Sequence, residues 1–150
     1  MKNVLLIGES CKDKFVYGDV DRLSPEAPIP VINPTSKIMN DGMAGNVKRQ
    51  FEELYTTLDF ITNDSKVTKT RYVDDSTNYI LLRVDEGDES IENINLNSLP
   101  NKNYDIIIFS DYNKGFISSK DITDIINYYK EKNNNLLTFI DTKKNFGDWI

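Results

Sequence analysis

Residues 105–143 read D-I-I-I-F-S-D-Y-N-K-G-F-I-S-S-K-D-I-T-D-I-I-N-Y-Y-K-E-K-N-N-N-L-L-T-F-I-D-T-K. The run 105–109 (D-I-I-I-F) is short, apolar and rich in β-branched residues, the signature of a buried strand. Residues 118–132 then change period. Ile122, Ile125, Ile126 and Tyr129 fall on one helical stripe, with Ser118 or Ser119 placed to cap it. The asparagines at 133–135 end the helix. Residues 136–140 (L-L-T-F-I) form a second apolar run, predicted to be another buried strand and closed by Asp141. Strand, helix, strand in this order is a βαβ unit, which means a parallel sheet and an α/β fold. Ligands of such sheets gather beyond the carboxyl ends of the strands.

Upstream, residues 3–7 (N-V-L-L-I) repeat the buried-strand pattern and stop at Gly8. A polar stretch, E-S-C-K-D-K, is expected to be loop. Pro25, Pro28, Pro30 and Pro34 punctuate the next segment, and proline confines a segment to edge strands and extended loops. Short strands at 31–32 and 37–39 would make a small exposed flap. Residues 42–55 turn helical, with Val47, Phe51 and Leu54 on one stripe and Asn40 or Asp41 as cap. A brief strand is expected at 58–61. Residues 67–73 and 78–84 alternate in type and suggest an antiparallel pair. Residues 85–103 read as loop, with Glu86, Asp88, Glu89 and Glu92 as a solvated acidic run.

The 150 residues suffice for one core. A net charge of −6 disfavours a nucleic-acid surface, which needs clustered cations. The apolar run at 4–7 is too short for a membrane span or a signal peptide. The sequence has no histidine and one cysteine, Cys11, so neither a Cys/His metal site nor a disulfide framework is expected. A reducing cytoplasm suits such a chain. Acid–base chemistry must then come from Asp, Glu, Lys or Tyr.

The three best strands end at Gly8-Glu9, Ser110-Asp111 and Asp141-Thr142-Lys143, each with a carboxylate and a nearby lysine. Asp13, after the first strand, is either a grip for vicinal hydroxyls or a solvated loop aspartate. The run G-M-A-G-N-V (42–47) opens backbone N–H groups at a helix start, beside Asn46, which bonds hydroxyls as donor or acceptor. Close packing of that helix explains the small residues equally well. The run is not G-x-G-x-x-G, so a dinucleotide site has little support. Lys69, Arg71 and Arg83 alternate along the strand pair, where they either hold a phosphate or face solvent. Two Asp/Lys sets, in S-D-Y-N-K-G and D-T-K, suit a sugar phosphate, although Asp111 equally serves a turn and Lys114 a surface.

Taken in order, these pieces resemble the ribokinase-like (PfkB) carbohydrate kinases, and among them the heptose 7-phosphate kinases. The most specific stretch is 17–33, Y-G-D-V-D-R-L-S-P-E-A-P-I-P-V-I-N. G-x(4)-D ending at Asp13, G-M-A-G-N-V, the K-T-R strand, L-L-R-V-D ending at Asp85, S-D-Y-N-K-G and D-T-K occur in family order. The resemblance implies an incomplete Rossmann-type parallel sheet with a small β-sheet lid at about 14–40, and a homodimer through the lid. By matched position, Asp13, Gly42 and Asn46 bind the sugar. Lys69 and Arg71 hold its phosphate, and Asp111 and Lys143 line the cleft. ATP and Mg2+ are the implied cofactors. Three departures stand out: Gly42-Met43 replaces a glycine pair, a βα unit is missing between Tyr55 and Val67, and the N-x-x-E and G-A-G-D motifs are absent. The aspartate of G-A-G-D is the family's base, so no catalytic residue is expected in residues 1–150. They read as an N-terminal portion whose reading frame continues beyond Ile150, inactive and poorly soluble or oligomeric alone. Two rival readings are a non-catalytic sugar-phosphate-binding or lid-dimerisation module and an enzyme completed by a separate chain.

Overall fold

The computed structural model describes residues 2–52, 54 and 57–145. Within them the order is β1 (Asn3–Gly8), β2 (Ser10–Leu23), β3 (Pro30–Met43), α1 (Ala44–Phe51), β4 (Thr57–Ile61), β5 (Thr68–Asp74), β6 (Ile80–Glu86), β7 (Ile106–Asp111), α2 (Ser119–Lys132) and β8 (Leu137–Thr142).

The βαβ unit forms where its periodicity places it. β7 and β8 pair in parallel from Ile106 opposite Leu137 to Asp111 opposite Thr142. β1 flanks β7 and β4 flanks β1, all parallel, giving the order β4-β1-β7-β8. Val4, Leu5, Leu6 and Ile7 are all fully buried, because a central strand covered on both faces has no solvated side. Ile122, Ile125 and Tyr129 of α2 pack with Leu5, Ile7, Ile107 and Phe109. Burying each such side chain contributes about 2 kcal/mol relative to leaving it in water. α2 starts at a capping box: the Ser118 hydroxyl accepts from the Asp121 N–H, and the Asp121 carboxylate accepts from the Ser118 N–H. This satisfies two donors that the helix leaves open.

The second sheet, in the order β3-β2-β5-β6, forms the lid and is larger than the sequence suggests. The polar stretch after Glu9 is not a loop. β2 runs unbroken from Ser10 to Leu23, antiparallel to β3 and parallel to β5, and β6 closes on β5 antiparallel. The strands expected at 31–32 and 37–39 are one 14-residue β3. Thus the lid takes in β5 and β6 besides residues 14–40. Local polarity signals a loop, but two hydrogen-bonded neighbours override it. Pro30 and Pro34 lie on β3, the sheet's edge, and a register shift between Tyr17 and Gly18 falls where Pro34 pairs. An edge is where proline's missing N–H is tolerated.

Two further expectations change. α1 begins at Ala44 rather than Gly42, and its N-cap is Met43 without a side-chain cap; Asn40 and Asp41 belong to β3. Met43 has φ 55° and ψ −133°, a glycine conformation that costs about 1–3 kcal/mol for another residue. The helix ends at Phe51, and Tyr55, its expected end, lies outside the described residues. β8 is not buried: Leu137 and Phe139 are both more than half exposed, because β8 is an edge of the described sheet. Phe146, Trp149 and Ile150 lie outside the described residues.

Candidate functional site

Strand register puts the charged residues of the lid on one face. Asp13 pairs with Asn40 and Lys69, and Lys69 with Asp85, forming one row across the sheet. Two residues on, Phe15 pairs with Ile38 and Arg71, and Arg71 with Arg83, forming the next row. Side chains alternate along a strand, so residues paired in one row share a face. That face looks onto the turn that leaves β7.

The ion pairs follow from these rows. Arg71 Nη1 donates to Asp13 Oδ1 at 2.7 Å, and its guanidinium lies 5.1 Å from the centre of the Phe15 ring. Arg83 holds Asp85 with two bonds of 2.7 and 2.8 Å. Lys69, buried, reaches Asp85 at 3.2 Å and Asp88 at 3.0 Å, and Lys114 reaches Asp88 at 2.7 Å. Hydrogen bonding from Arg83 lowers the Asp85 carboxyl to about 2, against the opposing effect of burial and with help from Lys69. Burial pulls Lys69 down, but its bonds to Asp88 and Asp85 outweigh that and leave it raised. Burial raises Cys11 to about 11, with Asp13 acting in the same direction. Only a trace of that thiol is thiolate at neutral pH, so it reacts slowly there.

Gly42 lies directly against Asp13. A Cβ there would come within 2.2 Å of Asp13 Oδ2 and 2.6 Å of Cys11 Sγ. Glycine at 42 thus makes room for the carboxylate. Glu9, fully buried at the end of β1, accepts from the N–H groups of Tyr112 at 2.8 Å and Lys114 at 3.0 Å. It fixes the S-D-Y-N-K-G turn so that Tyr112 and Lys114 face the lid. Lys143 Nζ sits 4.5 Å from the centre of the Tyr112 ring.

Two pockets result. The wider, about 510 Å³, is lined by Asp13, Asn40, Gly42, Asn46, Arg49 and Arg71 among others. Asn46 is exposed there and accepts from Arg49 Nη2 at 3.1 Å. The second, about 400 Å³, is lined by Lys69, Arg71, Arg83, Lys114 and Lys143, with Asp13 and Asp85. Asp88 is ion-paired into it through Lys69 and Lys114. Five cations against three carboxylates leave two positive charges uncompensated. This arrangement can hold a dianion beside hydroxyl-bonding groups.

Of the residues singled out in the sequence, Asp13, Gly42, Asn46, Lys69, Arg71 and Lys143 line these pockets. Asp111 does not. It is fully buried behind the turn, bonded to Lys144, to the Thr142 hydroxyl at 2.6 Å and to the Asn113 N–H at 2.9 Å. The β7 exit turns its carboxylate inward and sends Tyr112 outward. Asp88 also departs from the expected solvated run, because Gly87, at φ 83°, starts a tight turn that tucks it under Lys69. Sequence reasoning assigned no role to Tyr112, Arg49 or Asp88. Glu9 was visible only as a carboxylate at a strand exit. Among the described residues, no group of three or more His, Cys, Asp or Glu is placed to hold a metal. No described helix is long and apolar enough to cross a membrane.

Comparison with known proteins agrees with this architecture. No family model matches the sequence. The bifunctional protein HldE of Aliarcobacter butzleri is 32% identical over 177 residues, covering 94% of this chain and 36% of the relative. The chain thus spans about a third of the length of the curated relatives it matches. Those 177 positions exceed the chain's 150 residues, so the relative carries residues with no counterpart here. Ribokinase of Giardia lamblia superposes with a TM-score of 0.57 at 12% identity, over 99% of this chain and 57% of that one. Phosphofructokinase-2 of Escherichia coli, in complex with fructose 6-phosphate, gives a TM-score of 0.54 at 8% identity, over 96% and 56%.

Proposed function

As a member of the ribokinase-like carbohydrate kinase family, the chain carries, we propose, the sugar-phosphate-binding part of an ATP-dependent sugar kinase, with heptose 7-phosphate as the first candidate substrate. The observation that carries this reading is the surplus of two positive charges in the pocket adjoining Asp13 and Asn46. A phosphate monoester is a dianion near neutral pH. Its sugar hydroxyls would bond Asp13 and Asn46, while Lys69, Arg71, Arg83, Lys114 and Lys143 neutralise the phosphate. Asp13 accepts hydroxyl hydrogen bonds and Arg71 orients it.

The work assigned to these residues is binding and orientation. Every carboxylate that reaches the pockets is ion-paired, and none is assigned proton transfer. ATP with Mg2+ is the proposed phosphoryl donor, which supplies the transferred group. Among the described residues no group of His, Cys, Asp or Glu is placed to hold the Mg2+. The base and the anion hole belong to the family's G-A-G-D motif, which this sequence lacks.

We also assign a homodimer through the lid, in a cytoplasmic setting that suits the lone buried cysteine. The support is an apolar groove of about 260 Å³ along Ile29, Pro30, Ile32, Tyr72, Leu81 and Leu82. Its exposed Ile29 and Leu82 favour cover by a second lid. The same groove favours the second reading, a non-catalytic dimerisation module.

Calorimetric titration separates the two. The protein should bind fructose 6-phosphate or heptose 7-phosphate and ignore the parent sugar. Asp13→Ala should weaken the sugar phosphate about ten- to a hundredfold, the loss of charge-assisted hydrogen bonds. Equal affinity for phosphorylated and free sugar sinks the kinase-site reading.

A further inference from the structure

Three non-glycine residues have positive φ among the described residues, and two of them are asparagines, a residue type that visits such conformations readily. The third is Met43, whose ψ of −133° also lies outside the left-handed helical basin. No cap bond rewards the conformation. The side chain it orients is not loose. Met43 is buried and packs with Cys11 and Val67, and Tyr112 and Ile91 lie against that cluster.

Its place among the pockets gives the strained conformation a use. Met43, Tyr112, Asp13 and Arg71 line both the wider pocket and the cationic one. The boundary between the two pockets is therefore built from one ion pair, Asp13–Arg71, and one apolar pair, Met43 and Tyr112. With glycine at 43 the same backbone would carry no side chain, and the apolar half of that boundary would open onto Cys11.

We propose that Met43 is a specificity-determining plug. It keeps the uncharged carbons of a sugar phosphate in the wider pocket and admits only the anionic end to the cationic one. It thereby sets the distance allowed between the hydroxyls held at Asp13 and Asn46 and the phosphate. This rests on the sugar-phosphate reading above and adds selection by ligand length. A dispersive thioether suits the role, since it fills an irregular gap without competing for the phosphate.

The test uses Met43→Gly and Met43→Ala as truncations and Met43→Leu as a volume-keeping control. Cys11 is the sequence's only cysteine and serves as a reporter that needs no ligand. An aromatic disulfide reagent should label it about tenfold faster in both truncations than in the native protein or Met43→Leu, because exposure governs thiol reaction. In parallel, calorimetry measures the ratio of affinities for fructose 6-phosphate and ribose 5-phosphate. That ratio should shift about tenfold in the truncations and hold in Met43→Leu, the scale on which pocket volume discriminates neighbouring homologues. Unchanged labelling in both truncations overturns the plug. Faster labelling with an unmoved ratio makes Met43 a packing residue and overturns the specificity claim. If the native protein prefers neither sugar phosphate to its parent sugar, the sugar-phosphate reading fails and takes the specificity claim with it, while the labelling result still decides the plug.

Discussion

Replacing Asp111 by Asn separates an anchor from a ligand. The Asp111 side chain is fully buried and Lys144 is only 10% exposed, so their ion pair lies out of water. Asp111→Asn keeps the shape and one acceptor oxygen, enough for the Asn113 N–H, but removes the charge and turns an amide donor toward the Thr142 hydroxyl and Lys144. Lys144 then retains only the Ile117 carbonyl, at 2.8 Å. Breaking a buried pair while leaving one charge behind costs about 3–5 kcal/mol, and the retained carbonyl argues for about 3 kcal/mol. With a urea dependence of about 2 kcal/mol per M, the unfolding midpoint should fall by about 1.5 M. Adding Lys144→Met removes the orphaned charge and should recover about 1 kcal/mol or more. The assay is equilibrium urea unfolding followed by circular dichroism, with sugar-phosphate titration of the folded variant beside it. A midpoint shift under about 0.5 M, together with lost ligand affinity, would refute the reasoning and return Asp111 to the cleft.

Two other outcomes concern the lid. In sedimentation at micromolar concentration the protein should be a dimer and Ile32→Asp a monomer, since a carboxylate in the apolar groove must be desolvated to pair; a monomeric native protein counts against the interface. The Asp85 carboxyl, held at about 2 by Arg83 against an ordinary 3.8, contributes stability that is present above its unfolded value and lost as the pH falls through its folded one. The protection of the β5 and β6 amides, measured against the intrinsic exchange rate at each pH, should therefore fall as the pH drops from about 4 to about 2, and Arg83→Gln should move that loss upward; an unshifted profile in the variant would show that the pair does not stabilise the lid.

The sequence by itself determined the parallel sheet. Residues 3–7 and 105–109 are continuous apolar runs, and Ile122, Ile125 and Tyr129 keep a helical period, so β1, β7 and α2 form from local pattern and burial alone. Six of the seven residues singled out as candidate ligands line the two pockets, where strand alternation gives 69 and 71, or 83 and 85, a common face. Tertiary structure decided the rest. The start of β2 reads as a polar loop and becomes strand only because β3 and β5 pair along both of its edges. β8 reads as buried and is an exposed edge, since an apolar run states a preference for cover but not its supply. Asp111 and Asp88 both leave their expected places, one going into the interior and the other into the ion-pair cluster. The direction of a turn depends on distant partners: Glu9 holds the Tyr112 and Lys114 amides, and Lys69 draws in Asp88. No local pattern encodes those separations, because the bonds exist only after the strands have stacked.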